Sequence, residues 1–185
     1  MIIINLQLLK EARGDSPAEL VLKNAKIVDV FNEEIYEDDL AISSGKIIGV
    51  GNYKGRKEVD LEGKILAPSF IDGHLHLESA MVGVEEFAKK AISLGTTTIV
   101  ADPHEIANVA GIKGIKYILR KGLKMPWNFN LMLPSCVPSS NFETGGAVLN
   151  AAELEKMMDK EGVFGLGEVM DYPGVINGDS KTWEK

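Results

Sequence analysis

The stretch Phe70-Ile71-Asp72-Gly73-His74-Leu75-His76 decides how the rest of the chain is read. It follows Pro68 and reads as a β-strand over Phe70–Leu77. Residues two apart on a strand share a face, so His74 and His76 present both imidazoles to the same side. Two neutral imidazoles on one face can share a metal ion. From the tripeptide alone, two partly exposed histidines at a strand end remain the other reading. The chain has three histidines and two are here, which favours ligands.

Working downstream, strands and helices alternate. Val84–Leu94 reads as a helix with Gly95 placed to end it. Thr96–Ala101 (Thr-Thr-Thr-Ile-Val-Ala) is a β-branched strand, and a helix is expected over roughly Ile112–Leu123. Phe129–Leu133 is a third strand. Asn150 followed by Glu153 forms a capping box for a third helix that runs to about Lys160, with Gly162 ending it. Val163–Val169 is a fourth strand. Four strands separated by three helices predict a parallel βαβ sheet with right-handed crossovers.

Upstream the texture differs. Glu19–Leu22, Lys26–Phe31, Asp39–Ile42, Lys46–Val50, Glu58–Leu61 and Lys64–Ala67 are β-rich and separated by Asn, Ser and Gly turns. They suggest a small antiparallel sheet or sandwich, with the domain boundary between residues 66 and 67. The apolar run Met1–Leu9 contains Asn5 and Gln7 and has no basic residue before it, so it reads as the start of a surface helix.

Composition narrows the function classes. The 185 residues are 45% hydrophobic and 25% charged, which describes an ordinary globular chain and argues against disorder. Twenty-seven Asp and Glu against 20 Lys and Arg give a net charge of −7, with no basic patch of the kind a nucleic-acid backbone binder needs. A single cysteine, Cys136, excludes an internal disulfide framework and fits a reducing cytosol. No stretch approaches the roughly 20 apolar residues of a membrane helix.

The other chemistry-bearing residues also fall at strand ends. Asp102-Pro103-His104-Glu105 directly follows Thr96–Ala101 and offers a metal ligand, a general acid/base, or a polar turn with a helix cap. Glu168 ends the apolar Gly165-Leu166-Gly167 run, where an unpaired carboxylate would be poorly hydrated; a metal or a salt bridge would satisfy it. Gly165-Leu166-Gly167 lacks a third glycine and a following helix, so it is not a phosphate loop. The long segment from Leu133-Pro134-Ser135-Cys136-Val137-Pro138 to Asn141–Gly146 suggests a functional loop. In it Ser135 can hydrogen-bond a ligand, and Cys136 reads as a packed, inert thiol.

Pro68 to His76, with Gly45-Lys46-Ile47 upstream, resembles the first barrel strand and small β domain of the amidohydrolase superfamily. More narrowly, four motifs resemble the bacterial and archaeal adenine deaminase family. They are His76-Leu77-Glu78-Ser79 with Met81; Gly95-Thr96-Thr97-Thr98 through Ala101 to Asn108; Met132 to Pro138; and Gly165 to Met170 with Pro173-Gly174-Val175-Ile176. The resemblance implies the first half of a (β/α)8 TIM-like barrel (residues 67–185) preceded by part of a small β-sandwich (residues 1–66). It implies a binuclear site holding Mn2+ or Fe2+, with His74, His76 and Glu168 as metal ligands and Glu105 as ligand or acid/base. Ser135, His104 and Asp102 would line the substrate, adenine, which is hydrolysed to hypoxanthine and ammonia in purine metabolism.

The family continues for several hundred residues and takes further histidines and a catalytic Asp from later strands, which this sequence does not contain. The resemblance therefore implies a fragment inactive alone, with open sheet edges, an apolar inner barrel face, and a partner in a second copy or a C-terminal half. The other readings are a non-catalytic metal-binding or oligomerising remnant, and a different amidohydrolase such as a cyclic amidase.

Overall fold

The computed structural model describes residues 5–140 and 142–185. The beginning of the expected N-terminal helix, and Asn141 of the long loop, lie outside the described residues. The chain divides into two compact units, Met1–Pro68 and Ser69–Lys185.

The first unit contains α1 (Leu6–Ala12), β1 (Ala18–Asp29), β2 (Glu34–Ser43), β3 (Lys46–Val50), β4 (Gly55–Asp60) and β5 (Ile65–Leu66). Asn5 caps α1 through its side chain. The strand order is β3-β2-β1-β4, with β5 also paired to β1. The sheet is mixed, not antiparallel as expected: β2 runs antiparallel to β1, but β4 and β5 run parallel to it. The reason lies in β1. The segments read as two strands, Glu19–Leu22 and Lys26–Phe31, form one long strand through a bulge at Lys23–Asn24, where Asn24 adopts φ 54°. Its free edge takes β4 and then β5 in succession. The bulge also holds the turn between them, because Leu61 N–H donates to Lys23 O and Gly63 N–H to Asn24 O, each at 2.9 Å.

The second unit begins with β6 (Phe70–Leu75), followed by a 3-10 turn over Leu77–Ala80, α2 (Val84–Ser93) and β7 (Thr96–Ala101). Next come α3 (His104–Gly122), β8 (Asn128–Leu133), α4 (Ala151–Met158), β9 (Val163–Leu166), α5 (Tyr172–Asn177) and α6 (Ser180–Trp183). The sheet order is β6-β7-β8-β9 and every pairing is parallel. The expected capping box of α4 is present: Glu153 N–H donates to Asn150 Oδ1 at 3.0 Å, and Asn150 N–H to Glu153 Oε2 at 3.1 Å. One face of the sheet carries Ile99, Ala101, Phe129, Leu131 and Leu133, buried against Ile115, Ile118 and Leu119 of α3 and Leu154 and Met157 of α4. Fully burying a side chain such as Leu131 is worth about 1.5–3 kcal/mol.

Four expectations need correction. Helix α3 starts at His104 instead of Ile112, and it is broken at Gly111 (φ 55°, ψ −142°). The break frees Asn108 O to accept N–H groups from Gly146 (2.6 Å) and Ala147 (3.1 Å), so the long loop replaces the lost helical bonds. Strand β6 stops two residues before Leu77, and β9 stops three before Val169, leaving His76 and Glu168 just beyond strand ends. The face of the sheet opposite the helices is not uniformly apolar: alternation places Thr98, Asn128 and Asn130 there, and Asn128 Nδ2 donates to Thr98 Oγ1 at 3.1 Å. α5 and α6 had no counterpart in the sequence reading.

In the first unit, Asp39 clamps the β1 bulge by accepting Asn24 N–H at 2.9 Å and pairing with Lys23. Burial pushes the Asp39 carboxyl up, but Lys23 and the Asn24 N–H outweigh it and hold it below the ordinary Asp range. The hydrogen bond to Asp39 holds Lys23 above the ordinary Lys range. The depressed carboxyl contributes stability that is present above the ordinary Asp pKa and lost as the pH falls through its folded value. The raised ammonium contributes stability that is present below the ordinary Lys pKa and lost as the pH rises through its folded value. Asp39→Asn is therefore expected to lower stability by a constant amount between about pH 5 and about pH 9, with the gap to wild type closing in acid below about pH 4. Urea unfolding across pH measures this, and a gap that persists undiminished into strong acid contradicts it.

Candidate metal centre

His76 is the first residue past β6, and its position is set by β7. Asp102 N–H donates to Leu75 O at 2.9 Å, which carries the β6–β7 pairing one step beyond the strand ends. His76 Nδ1–H then donates to the Asp102 carbonyl at 2.8 Å. A backbone carbonyl can only accept, so this bond places the proton on Nδ1 and leaves the Nε2 lone pair free. That Nε2 lies 3.2 Å from His74 Nε2, with the two rings edge to face at 84°.

Glu168 Oε1 closes the set. It lies 3.5 Å from His74 Nε2, 3.6 Å from His76 Nε2 and 3.6 Å from His104 Nδ1. Asp102 Oδ1 is 3.5 Å from the same His104 Nδ1. Two ligand groups therefore share His76: His74, His76 and Glu168, and His76, Asp102 and His104. The Asp102 side chain is 1% exposed and that of His74 48%, so the cluster has a buried floor and an open rim.

The donor set fits a divalent cation. Asp102 Oδ1 and His104 Nδ1 are buried with no hydrogen-bond partner, a condition that costs about 1–3 kcal/mol per group unless compensated. Imidazole nitrogens and carboxylate oxygens converging on one space are the ligands Zn2+, Mn2+ and Fe2+ accept. Burial pushes the Asp102 carboxyl above the ordinary Asp range, partly offset by the Glu168 N–H and by His104 and His76. A cation at the cluster would oppose that effect.

Two residues expected at the site have other roles in the structure. Ser135 is buried and donates its hydroxyl proton to Glu168 O at 2.6 Å, so it fixes the backbone of Glu168 instead of facing a ligand. Glu105 is exposed, belongs to neither ligand group, and accepts from Ser79 Oγ at 2.7 Å. Asp102 and His104 join the cluster, but the Asp102 side chain is too buried to line a substrate. Cys136 is buried beside Ser135.

Glu78 is the residue the sequence reading left without a role. Its Oε1 accepts Ile106 N–H at 3.0 Å, capping α3 from a separate element. The cap position of α3 is Pro103, which has no side-chain acceptor, and that lack is the sequence signal that another residue must cap.

A sequence model of the Amidohydrolase family matches residues 65–181. The chain belongs to the amidohydrolase family. It is 62% identical over 181 residues to an adenine deaminase of Petrotoga mobilis, covering 98% of this chain and 32% of that protein. It is 52% identical over 177 residues to an adenine deaminase of Clostridium acetobutylicum, covering 96% and 31%. The chain thus spans about a third of the length of these curated relatives. Among solved structures, its fold is similar to that of an atrazine chlorohydrolase from Arthrobacter aurescens TC1 complexed with zinc. That match has a TM-score of 0.62 at 14% identity and covers 84% of this chain and 48% of that one. It is also similar to an L-hydantoinase from Arthrobacter aurescens, with a TM-score of 0.54 at 20% identity, covering 80% and 32%.

The His76–Asp102 bond gives a direct expectation. Long-range 1H–15N spectra of the metal-free chain should show neutral His76 as the Nδ1–H tautomer. An Nε2–H tautomer would mean that the bond to the Asp102 carbonyl is not formed.

Proposed function

We propose that this chain carries the first half of the catalytic barrel of an adenine deaminase, which converts adenine and water to hypoxanthine and ammonia. The observation that carries the reading is the convergence of His74 Nε2, His76 Nε2 and Glu168 Oε1 within 3.6 Å of one another. The similarity to proteins named adenine deaminase selects the reaction from those an amidohydrolase fold can host.

In this reading the four parallel strands β6–β9 are the first four of a (β/α)8 barrel, and residues 1–66 are part of a small β-sandwich. His74, His76 and Glu168 hold Mn2+ or Fe2+, with His104 beside them. When bound, the metal supplies the Lewis acidity that makes water a competent nucleophile toward C6 of adenine at neutral pH. The chain's own residues do the rest. The Asp102 carbonyl keeps the His76 Nε2 lone pair directed at the site. Glu105, turned away to Ser79, stands outside the cluster and takes no part in this reading. The single buried cysteine suits a cytoplasmic enzyme. Among the described residues, no helix is long and apolar enough to cross a membrane.

The 185-residue chain alone is expected to show no adenine turnover with added Mn2+, because three close ligands leave the metal underbound. The same chain continued by the remaining two thirds of the Petrotoga mobilis relative is expected to deaminate adenine. In that longer protein, His74→Ala and Glu168→Gln should each lower kcat/KM by about 100-fold or more. Spectrophotometric loss of adenine reads all of these. An active short chain, or a longer chain indifferent to both substitutions, would refute the proposal.

A further inference from the structure

Resting on the metal-site reading above, we infer that Asp102 is the positioning residue of this site: its carboxylate, seated in a notch that Gly167 leaves open, fixes the backbone from which Glu168 projects. Asp102 makes a separate approach to each of three neighbours. Its carbonyl accepts His76 Nδ1–H, its Oδ2 accepts Glu168 N–H at 3.2 Å, and its Oδ1 faces His104 Nδ1. At 0% residue exposure it touches none of the space a substrate could reach, so it acts through these neighbours.

Glu168 needs such a hold because it lies past the end of β9 at Leu166, beyond the sheet ladder. Both of its backbone groups are instead engaged by side chains from neighbouring strand ends. Its N–H goes to Asp102 after β7, and its carbonyl accepts from Ser135 after β8. With N–H and C=O both tied, the side chain leaves the backbone in one direction, toward the two histidines.

Gly167 makes the arrangement possible through space. It is not among the glycines with positive φ, so its backbone does not require glycine. Yet a Cβ there would overlap Asp102 Oδ2 and approach Asp102 Cγ to 2.8 Å. Gly167 cannot slide away, because its N–H is held by Leu133 O at 2.7 Å. A side chain at 167 must therefore displace the Asp102 carboxylate. Partners that orient ligands in this way commonly govern metal affinity by about 10–100-fold.

The test uses the metal-free 185-residue chain and Mn2+ as probe, with Asp102→Ala, Asp102→Asn and Gly167→Ala. Hydrogen exchange at the Glu168 amide, followed by NMR, reads the positioning directly. Exchange should quicken about 10-fold or more in Asp102→Ala and Gly167→Ala, as expected when an amide loses its charge-assisted hydrogen bond. It should return toward the wild-type rate in Asp102→Asn, which keeps an acceptor oxygen in place. A general loss of stability would instead quicken the β7 and β8 amides as well. Calorimetric Mn2+ titration should show the Ala variants weaker by about 10–100-fold. Equal Glu168 exchange in all four proteins overturns the inference whatever Mn2+ does. If wild type takes no Mn2+ but the exchange pattern holds, the hold of Asp102 on Glu168 stands, and the failure lies with metal binding by the short chain alone.

Discussion

The parallel pairing of β6, β7, β8 and β9 is the constraint on which the site depends. In a parallel sheet each strand delivers its C-terminal end to the same rim, so residues distant in sequence meet there without any loop reaching across. Asp102 and Glu168 are 66 residues apart and hydrogen-bonded. Asp102 is one residue past β7 and Glu168 two past β9, and the sheet that carries them is anchored by Ile99 of β7 and by Leu131 and Leu133 of β8, fully buried beneath α3 and α4. The precision of the site is thus inherited from an apolar core one layer below it. Two short hydrogen bonds continue the sheet to the rim, Asp102 N–H to Leu75 O and Gly167 N–H to Leu133 O. Without them the ligand residues would sit on untethered loops.

The sequence showed the elements and the rim, because those rest on local patterns. Thr96–Val100 is β-branched throughout, Asn150 and Glu153 stand at capping-box spacing, and Gly95 and Gly162 punctuate helix ends. What it concealed was decided by distant contacts. The turns of α3 before Ile112 carry Asn108 and Gly111 and look like loop. They are helical because Glu78 caps them from outside and the loop at Gly146–Ala147 satisfies the broken ladder. The same holds in the first unit. Nothing local tells that β4 and β5 run parallel to β1; the bulge at Asn24, held by Asp39, arranges it.

The candidate ligands were legible for a related reason. His74, His76 and Glu168 stand next to glycines or at strand ends, where a polar residue in an apolar run is conspicuous. Roles were harder to read than positions. Ser135 and Asp102 have the chemistry of substrate ligands, and only burial shows that their polar atoms are directed at Glu168 and His76. Glu105 read as a ligand or acid/base at the site, but helix geometry turns it outward to Ser79 while its neighbour His104 turns in. Adjacent helical residues point about 100° apart, so one of the two had to leave the cluster.

The burial of Asp102 carries an energetic consequence. A carboxylate with one oxygen unpartnered in the interior favours its neutral form, and burial raises its pKa accordingly. The fold tolerates this because the other oxygen and the carbonyl are both hydrogen-bonded, and because Gly167 leaves the room. His104 Nδ1, also unpartnered, faces the same point from the first turn of α3. Such paired deficits lower the stability of the protein by itself, and a cation bound there would recover it. If the cluster binds a cation, binding and local stability at this rim are one equilibrium, and a substitution that removes the unpartnered Asp102 oxygen should stabilise the metal-free chain as it weakens the site.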